Sequence, residues 1–256
     1  MDTIINKYSP ISLDEMSGVK LMNRVDTKFV TTMPRLIKLL KMAQDEYFMQ
    51  DIDGIRSSAY TTLYYDTPAF EMYLNHHNGC LGRQKVRVRQ YLDSGETFLE
   101  VKNKNNHRRT RKKRIAINEF DIIGDEKHRF LSGLCWYDVD TLQPALRNWF
   151  NRITLVNKGK TERVTIDTDL RFHNYASEID DSLDQAVIIE VKRDGNQPSP
   201  LLNMLRDLRI FPHGFSKYCI GTALTNPSLK QNRLKEKLRY VEKLIESDVM
   251  VTDINS

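Results

Sequence analysis

Four segments of the chain alternate charged residues with branched apolar residues, as β-strands do. They cover residues 85–89, 98–102, 163–167 and 187–192. Successive side chains of a strand point to opposite faces, so each segment places its charges on one face and most of its apolar side chains on the other. One such strand would be an ordinary half-buried strand. Four of them predict a sheet that curves around a charged interior.

The charges that share a face are of both signs. The pairs are Arg87 with Arg89, Glu100 with Lys102, Arg163 with Asp167, and Glu190 with Lys192. Taken singly, Arg87 with Arg89 is better explained as the solvent side of an ordinary strand. Singly, Glu100 with Lys102 and Glu190 with Lys192 are likewise better explained as exposed cross-strand ion pairs. Together they favour an interior that suits a polyanion and a metal ion.

Size and composition indicate one soluble domain. A chain of 256 residues can bury a substantial core, and 40% apolar with 29% charged residues is typical of soluble globular proteins. No stretch approaches the roughly 20 apolar residues of a membrane span, and the N-terminus lacks the features of a signal peptide. The three cysteines are far apart, which indicates neither a disulfide framework nor a thiolate zinc site. We expect a single domain over residues 1–256, located in the cytoplasm.

The predicted fold class is α+β, an antiparallel β-barrel with helices packed outside. We predict strands over 59–66, three consecutive strands between 83 and 117, and further strands over 149–157, 161–169 and 186–193. We predict helices over 33–44 and 198–208, and a C-terminal helix over about 228–247 on the barrel exterior. Residues 118–148 are expected to be mostly helical, with Pro144 opening a short helix, and residues 176–184 to be a polar loop.

Familiar nucleotide and hydrolase motifs are missing from the sequence. There is no glycine-rich phosphate loop, no H-E-x-x-H and no G-x-S-x-G. If phosphate binds here, side chains must bind it, and arginine and lysine are the residues suited to this. The inward-facing candidates are Lys85, Arg87, Arg89, Lys102, Arg163 and Lys192, joined by Lys28, Arg152 and Lys217 just outside these strands.

Acidic residues inside a phosphate-binding cavity point to a metal. A glutamate there would weaken phosphate binding unless it holds a cation, and hard ions such as Mg²⁺ or Mn²⁺ take carboxylate and phosphate oxygens together. Glu190 and Glu100 are the candidate ligands. The chemistry would be phosphoryl transfer by positioning and charge neutralisation.

A basic block runs from Lys102 to Arg114 without any acid, within a net charge of +5. Such a block favours phosphate-bearing partners through long-range attraction. Few aromatic residues interleave with it, whereas single-strand binders need stacking platforms. We therefore interpret residues 108–114 as a solvated basic surface and do not expect nucleic acid as the partner.

The ordered motifs resemble a known family. They lie at residues 24–29, 64–68, 85–91, 98–102, 163–167, 187–192 and 215–218. In this order they are similar to the VTC domain, the polyphosphate polymerase domain of the vacuolar transporter chaperone complex and its bacterial relatives. That family belongs to the CYTH-like triphosphate tunnel metalloenzymes. The resemblance covers about residues 20–225.

The resemblance implies an enzyme with an antiparallel β tunnel. This enzyme would transfer the γ-phosphate of ATP onto a growing polyphosphate chain. Carried over by motif, Lys28, Arg87, Arg89, Lys102, Arg152, Arg163 and Lys217 would line the tunnel. Glu190 would bind the divalent metal with Lys192 beside it, and Arg87, Arg89 and Lys217 would be the catalytic residues.

The first strand departs from the wider superfamily, which often has E-x-E-x-K where this chain has Arg24, Asp26 and Lys28. This argues against a simple triphosphatase, for which the acidic strand is the signature. Two alternatives remain open: a triphosphatase in the same tunnel, and a non-catalytic polyphosphate- or nucleotide-binding module. The sequence leaves the acceptor, the preferred metal and the oligomeric state open, and we expect any membrane coupling to need a separate partner.

Overall fold

Most of the chain is built around one sheet that is antiparallel except where β1 pairs with β3. The computed structural model describes residues 1–17, 24–107, 109–195 and 197–254. Arg108, in the predicted basic block, and the side chain of Arg24, in the first motif, lie outside what is described. The strands are β1 (Ser9–Ile11), β2 (Arg24–Thr32), β3 (Tyr47–Gln50), β4 (Ser58–Asp66), β5 (Arg83–Tyr91), β6 (Thr97–Lys104), β7 (Thr110–Ile117), β8 (Gln143–Asn157), β9 (Glu162–Asn174), β10 (Ile179–Leu183) and β11 (Ala186–Asp194).

The helices lie between and after these strands. They are α1 (Asp2–Ile5), α2 (Leu13–Ser17), α3 (Met33–Ala43), α4 (Glu71–His77), α5 (Asp125–Ser132), α6 (Pro200–Asp207), α7 (Lys217–Thr225) and α8 (Lys235–Ile254), with a short 3₁₀ turn at Val139–Thr141. Among the described residues, none of the helices has both the length and the apolar character needed to cross a membrane.

The path of the sheet brings together strands that are distant in sequence. Its order is β2-β11-β9-β8-β4-β5-β6-β7, with β10 beside β9, β3 beside β8 and β1 beside β3. Glu190 lies opposite Lys28 on β2 and opposite Thr165 on β9. We call the face that carries Lys28, Arg152 and Glu190 the inner face.

The predicted barrel is not closed by strand pairing. The path begins at β2 and ends at β7, and no ladder joins these two strands among the described residues. The sheet nevertheless curves, because residues of β2 and residues of β5 to β7 line the same cavity. The two ends of the sheet therefore face each other across a cavity lined with side chains and are not joined by backbone hydrogen bonds.

Apolar side chains on the outer face hold helices against the sheet. Val164, Ile166, Val187 and Ile189 of β9 and β11 pack with residues of α3 and α6. Helix α3 begins after Thr32 with a proline in its first turn and buries Leu36, Leu39, Leu40 and Ala43, which confirms the helix predicted there. A second outer cluster, around Val86, Val88, Leu99, Val101 and Leu131, lies under α5.

Three of the predicted elements were wrong or displaced. Residues 143–150 belong to β8 and not to a helix, and Pro144 lies where the register of β8 against β4 shifts, a position that tolerates proline in a strand. Part of the predicted loop 176–184 forms the exposed strand β10. The last helix begins at Lys235, after turns at 226–234.

Helix α8 also lies on an unexpected side of the sheet. Leu238, Val241 and Ile245 of the helix, and Leu234 just before it, pack into the same cluster as α7, together with inner-face residues such as Val30 and Ile188. This is not the barrel exterior that we predicted. Periodicity identifies the apolar stripe of a helix but cannot say which face of the sheet will cover it.

Candidate functional site

A cavity of about 1470 Å³ lies where the two ends of the sheet approach each other. Four of the predicted residues line it, namely Lys28, Lys85, Lys102 and Glu190. They come from β2, β5, β6 and β11, so the curvature of the sheet brings them together. Other lining residues include Asp26, His76, Arg83, Lys104, Arg109, Arg111, Arg233 and Lys237.

Glu190 is an ionised carboxylate on the wall of this cavity. Its Oε2 lies 2.9 Å from Lys192 Nζ and its Oε1 lies 3.8 Å from Lys28 Nζ. Burial alone would raise the pKa of Glu190, but the charges of Lys192 and Lys28 outweigh burial and lower that pKa to about 2. The side chain is 21% exposed, which leaves the carboxylate within reach of a ligand in the cavity.

Glu100 has a different environment. Its side chain is 1% exposed, one carboxylate oxygen lies 2.6 Å from Arg87 Nη2, and Lys112 forms an ion pair with the other. Burial opposes ionisation, yet Arg87, Arg89 and Lys112 together lower the pKa of Glu100 to about 2. Both oxygens are thus engaged by cations of the neighbouring strands.

Asp167 is a buried acid on the same face as Glu190 and Glu100, and it forms the densest charge cluster of the three. Arg152 lies directly opposite on β8 and donates two hydrogen bonds, Nε to Oδ1 at 2.6 Å and Nη2 to Oδ2 at 2.8 Å. Lys217 also donates to Oδ2. Burial opposes ionisation, but these two cations hold the pKa of Asp167 well below its usual range. Asp167 therefore fixes Arg152 and Lys217 side by side.

Among the predicted cations, Lys85, Arg89 and Lys102 have no carboxylate within ion-pair distance in the described part of the chain. Lys85 donates to Ser216 Oγ at 2.9 Å, and Arg89 donates to Thr62 Oγ1 at 3.1 Å. Burial, with the nearby positive charges added, lowers the pKa of Lys85 and of Lys102 to about 8 and that of Arg89 to about 10. This is the electrostatic state of a site that gains stability when an anion binds.

Helix α7 carries Lys217 into the charged cluster. Ser216 caps the helix by accepting a hydrogen bond from Cys219 N at 3.3 Å. Gly221 lets the helix lie against the sheet, since a Cβ there would lie 2.8 Å from Leu146 Cδ2 and would also meet Phe172. Tyr218 then donates to the buried Asp66 at 2.5 Å.

Arg87, Arg89, Arg152 and Lys217 lie deeper than the cavity wall. Glu100 binds Arg87, Asp167 binds Arg152 and Lys217, and Arg89 donates to Thr62. Lys192 is held by Glu190. Arg163, on β9, lies directly opposite Lys192, and its Nη2 donates to Met16 O at 3.4 Å. The structure thus places every predicted site residue on the inner face or against it.

Two residues of the site were not predicted, although a sequence signal existed for both. Asp167 shares a strand face with Arg163, but we gave it no role. Lys112 was placed in a solvated block, whereas Ile115 and Ile117 of the same strand pack into the outer cluster and so turn Lys112 inward. The alternation that identified the other charges also applied here.

Glu190 is the residue whose environment fits a metal ion. Among the described residues, no group of three or more His, Cys, Asp or Glu is placed to hold a metal by itself. Asp26 also lines the cavity, opposite Lys192 on the neighbouring strand. One or two carboxylates on a cavity wall fit Mg²⁺ or Mn²⁺, which complete their shells with phosphate oxygens and water.

Comparison with known proteins gives one clear match. A family model for the VTC domain matches residues 23–226. No curated protein matches the chain significantly.

Several solved structures show a weak likeness. HpAC1 of Hippeastrum, a candidate adenylyl cyclase with a dominant triphosphatase activity, is 14% identical with a TM-score of 0.48, over 79% of this chain and 96% of that chain. A candidate adenylate cyclase of Vibrio parahaemolyticus is 12% identical with a TM-score of 0.45, over 78% and 99%. The PH1819 protein of Pyrococcus horikoshii OT3 is 13% identical with a TM-score of 0.44, over 78% and 98%. Likeness at this level carries no conclusion about fold or activity.

Proposed function

The chain belongs to the VTC domain family, and from this premise we propose that it is a metal-dependent phosphoryl transferase that extends polyphosphate with the γ-phosphate of ATP. One observation carries the proposal beyond family membership. Lys85 and Lys102 line a cavity that has the ionised Glu190 on its wall, and Arg89 is buried further along the strand of Lys85. None of these three cations has a carboxylate within ion-pair distance among the described residues. A chain of phosphates supplies the negative charge that these groups lack.

The charged residues divide into two proposed roles. Lys28, Lys85 and Lys102, at the cavity, hold the phosphate chain. Arg87, Arg89 and Lys217, which lie deeper, are the proposed catalytic residues, because phosphoryl transfer needs positioned positive charge where charge develops on the transferred group. Arg152, Lys192 and Arg163, which lies opposite Lys192, complete the phosphate-binding set.

The acids position these cations. Asp167 holds Arg152 and Lys217, and Glu100 holds Arg87. Cations fixed in this way need no reorganisation when charge develops on the substrate. Glu190 would hold the divalent ion, which when bound supplies charge neutralisation and alignment of the phosphate oxygens.

Incubation of the purified protein with ATP and Mn²⁺ or Mg²⁺, followed by a gel stained for polyphosphate, tests the proposal. Glu190→Ala and Arg89→Ala should abolish polymer formation while both variants stay folded. Glu46→Ala, an exposed glutamate on the surface, is the matched control and should keep activity. If the protein forms no polymer and consumes no ATP with either metal, the proposal is overturned.

Product analysis separates the proposal from its alternatives. Free phosphate without polymer would identify a triphosphatase that uses water as the acceptor. Tight binding of polyphosphate without metal and without turnover would identify a non-catalytic binding module.

A further inference from the structure

Two adjacent histidines at the end of helix α4 have different environments. His77 is buried, and both of its ring nitrogens are engaged: Nε2 accepts a hydrogen bond from Arg233 N at 3.2 Å, and Nδ1 donates to Asn78 Oδ1 at 3.1 Å. His76 lines the basic cavity, and its Nδ1 is buried without a hydrogen-bond partner among the described residues. Of the two rings, that of His76 therefore has hydrogen-bonding capacity left for a ligand in the cavity.

Cations from several elements surround His76. Helix α4 packs against β4, β5 and α7. The positive charges that act on the ring come from β5, α8 and β2, namely Lys85, Arg83, Lys237 and Lys28. Burial and these charges lower the pKa of His76 from 6.5 to about 2, so the ring is neutral in the free protein.

The other titratable groups on the elements around α4 are engaged or neutral. Asp66 of β4 is buried and accepts hydrogen bonds from Tyr218 and from backbone N–H groups of α4. Cys219 of α7 is buried, and burial raises the pKa of its thiol, which stays protonated. The acids of the cavity wall, Asp26 and Glu190, belong to β2 and β11. The charge that acts on the ring is therefore positive.

A phosphate chain in the cavity would reverse this balance. Its negative charge would offset the cations around the ring and favour the protonated form of the imidazole. A neutral imidazole has a lone pair that accepts a proton, and the resulting imidazolium donates from both nitrogens. A lysine or arginine at this position would already carry its charge, whereas a histidine couples phosphate binding to proton binding.

We propose that His76 is a phosphate-binding residue that takes up one proton when a phosphate chain enters the cavity, so that binding is stronger in mildly acidic solution. The proton passes from a buffer acid to the ring nitrogen, and no covalent bond to phosphorus forms or breaks. The inference rests on the proposed function only in requiring that phosphate chains bind in this cavity.

The first test is calorimetry of tripolyphosphate binding by the full chain at about pH 6, without ATP or metal, in buffers of different ionisation enthalpy. The dependence of the heat on the buffer counts the protons taken up. Lys85 and Lys102, whose pKa values are about 8, are already charged at this pH. We expect His76→Gln to take up about one proton less than wild type, which corresponds to a pH dependence of affinity about tenfold weaker per pH unit.

Two further variants serve as controls. His128→Gln removes an exposed histidine of α5 that pairs with Asp140, and it should keep the wild-type proton uptake. His76→Arg carries a permanent charge at the position in question. It should bind tripolyphosphate at least as tightly as wild type, without the extra proton, and its affinity should depend less on pH.

The second test follows the ring directly, by NMR titration of the His76 signal, which is identified by its loss in the variants. The pKa of His76 should rise by at least about one unit when tripolyphosphate saturates the protein. Equal proton uptake in wild type and His76→Gln, or an unmoved pKa of the ring, would overturn the role of His76 and leave the proposed function intact. If no tripolyphosphate binds at any pH, both proposals are overturned. If His76→Gln does not fold, His76→Arg and the wild-type titration still decide.

Discussion

Arg152 on β8 donates two hydrogen bonds, of 2.6 and 2.8 Å, to Asp167 on the adjacent strand β9. Lys217 from α7 shares the same carboxylate. One carboxylate thus pairs with two largely buried cations from different elements, and it ties the helix to the sheet.

Asp167→Asn should destabilise the free protein strongly. The substitution keeps the shape but leaves Arg152 and Lys217 buried without their counter-charge, which typically costs about 3–5 kcal/mol. Urea unfolding measures this loss, and tripolyphosphate should restore more stability to the variant than it adds to wild type. Asp45→Asn, at an exposed position, is the control. Equal stability of variant and wild type would contradict the role given to Asp167.

Tripolyphosphate binding should weaken as pH rises through about 8. Burial lowers the pKa of Lys85, Lys102 and Lys217 from the ordinary 10.5 to about 8, so these groups lose their charge early. Calorimetric titrations below and above pH 8 measure the change. Lys85→Met should remove part of this pH dependence. An unchanged pH profile in that variant would show that Lys85 does not contribute to it.

The same lysines should make the free protein more stable as pH rises from about 8 towards 10.5. In this window the folded state has already released protons that the unfolded state still binds, and stability rises with pH wherever the unfolded state binds more protons. Urea unfolding across this range measures the slope. The slope should shrink in Lys85→Met, and a slope of the opposite sign in wild type would refute the assignment.

Gly221→Ala should destabilise the fold by about 1–3 kcal/mol, the usual cost of overpacking. The new methyl group would meet Leu146 and Phe172 and push α7, with Lys217, away from the sheet. Gly133→Ala is the matched control, because its Cβ would approach nothing nearer than 3.7 Å. Equal thermal stability of the two variants would show that α7 is not packed as described.

Lys112→Ala and Lys113→Ala should behave differently although they are neighbours in the basic block. Lys112 forms an ion pair with Glu100 on the inner face, whereas Lys113 is exposed on the other side of the strand. Tripolyphosphate affinity should fall only in Lys112→Ala. Loss of DNA or RNA retention centred on Lys113 and its exposed neighbours would instead support nucleic-acid binding.

Strand alternation was sufficient to predict most of the charged face. It placed Arg87 with Arg89 and Glu190 with Lys192 because the period of a strand is fixed at two residues. The same rule would have turned Lys112 inward, had it been applied to the basic block. The prediction was wrong at Pro144, where we took the proline as the start of a helix. Pro144 lies in strand β8, at a register shift that tolerates a proline.

Which residues share a strand face was decided by the sequence, because it depends only on local backbone geometry. Which strands become neighbours was decided by the tertiary structure. Glu190 meets Lys28, and Asp167 meets Arg152 and Lys217, through pairings between distant segments that no local pattern encodes. The open sheet and the inner placement of α8 likewise arise from long-range packing, because which element covers a given face depends on the whole chain.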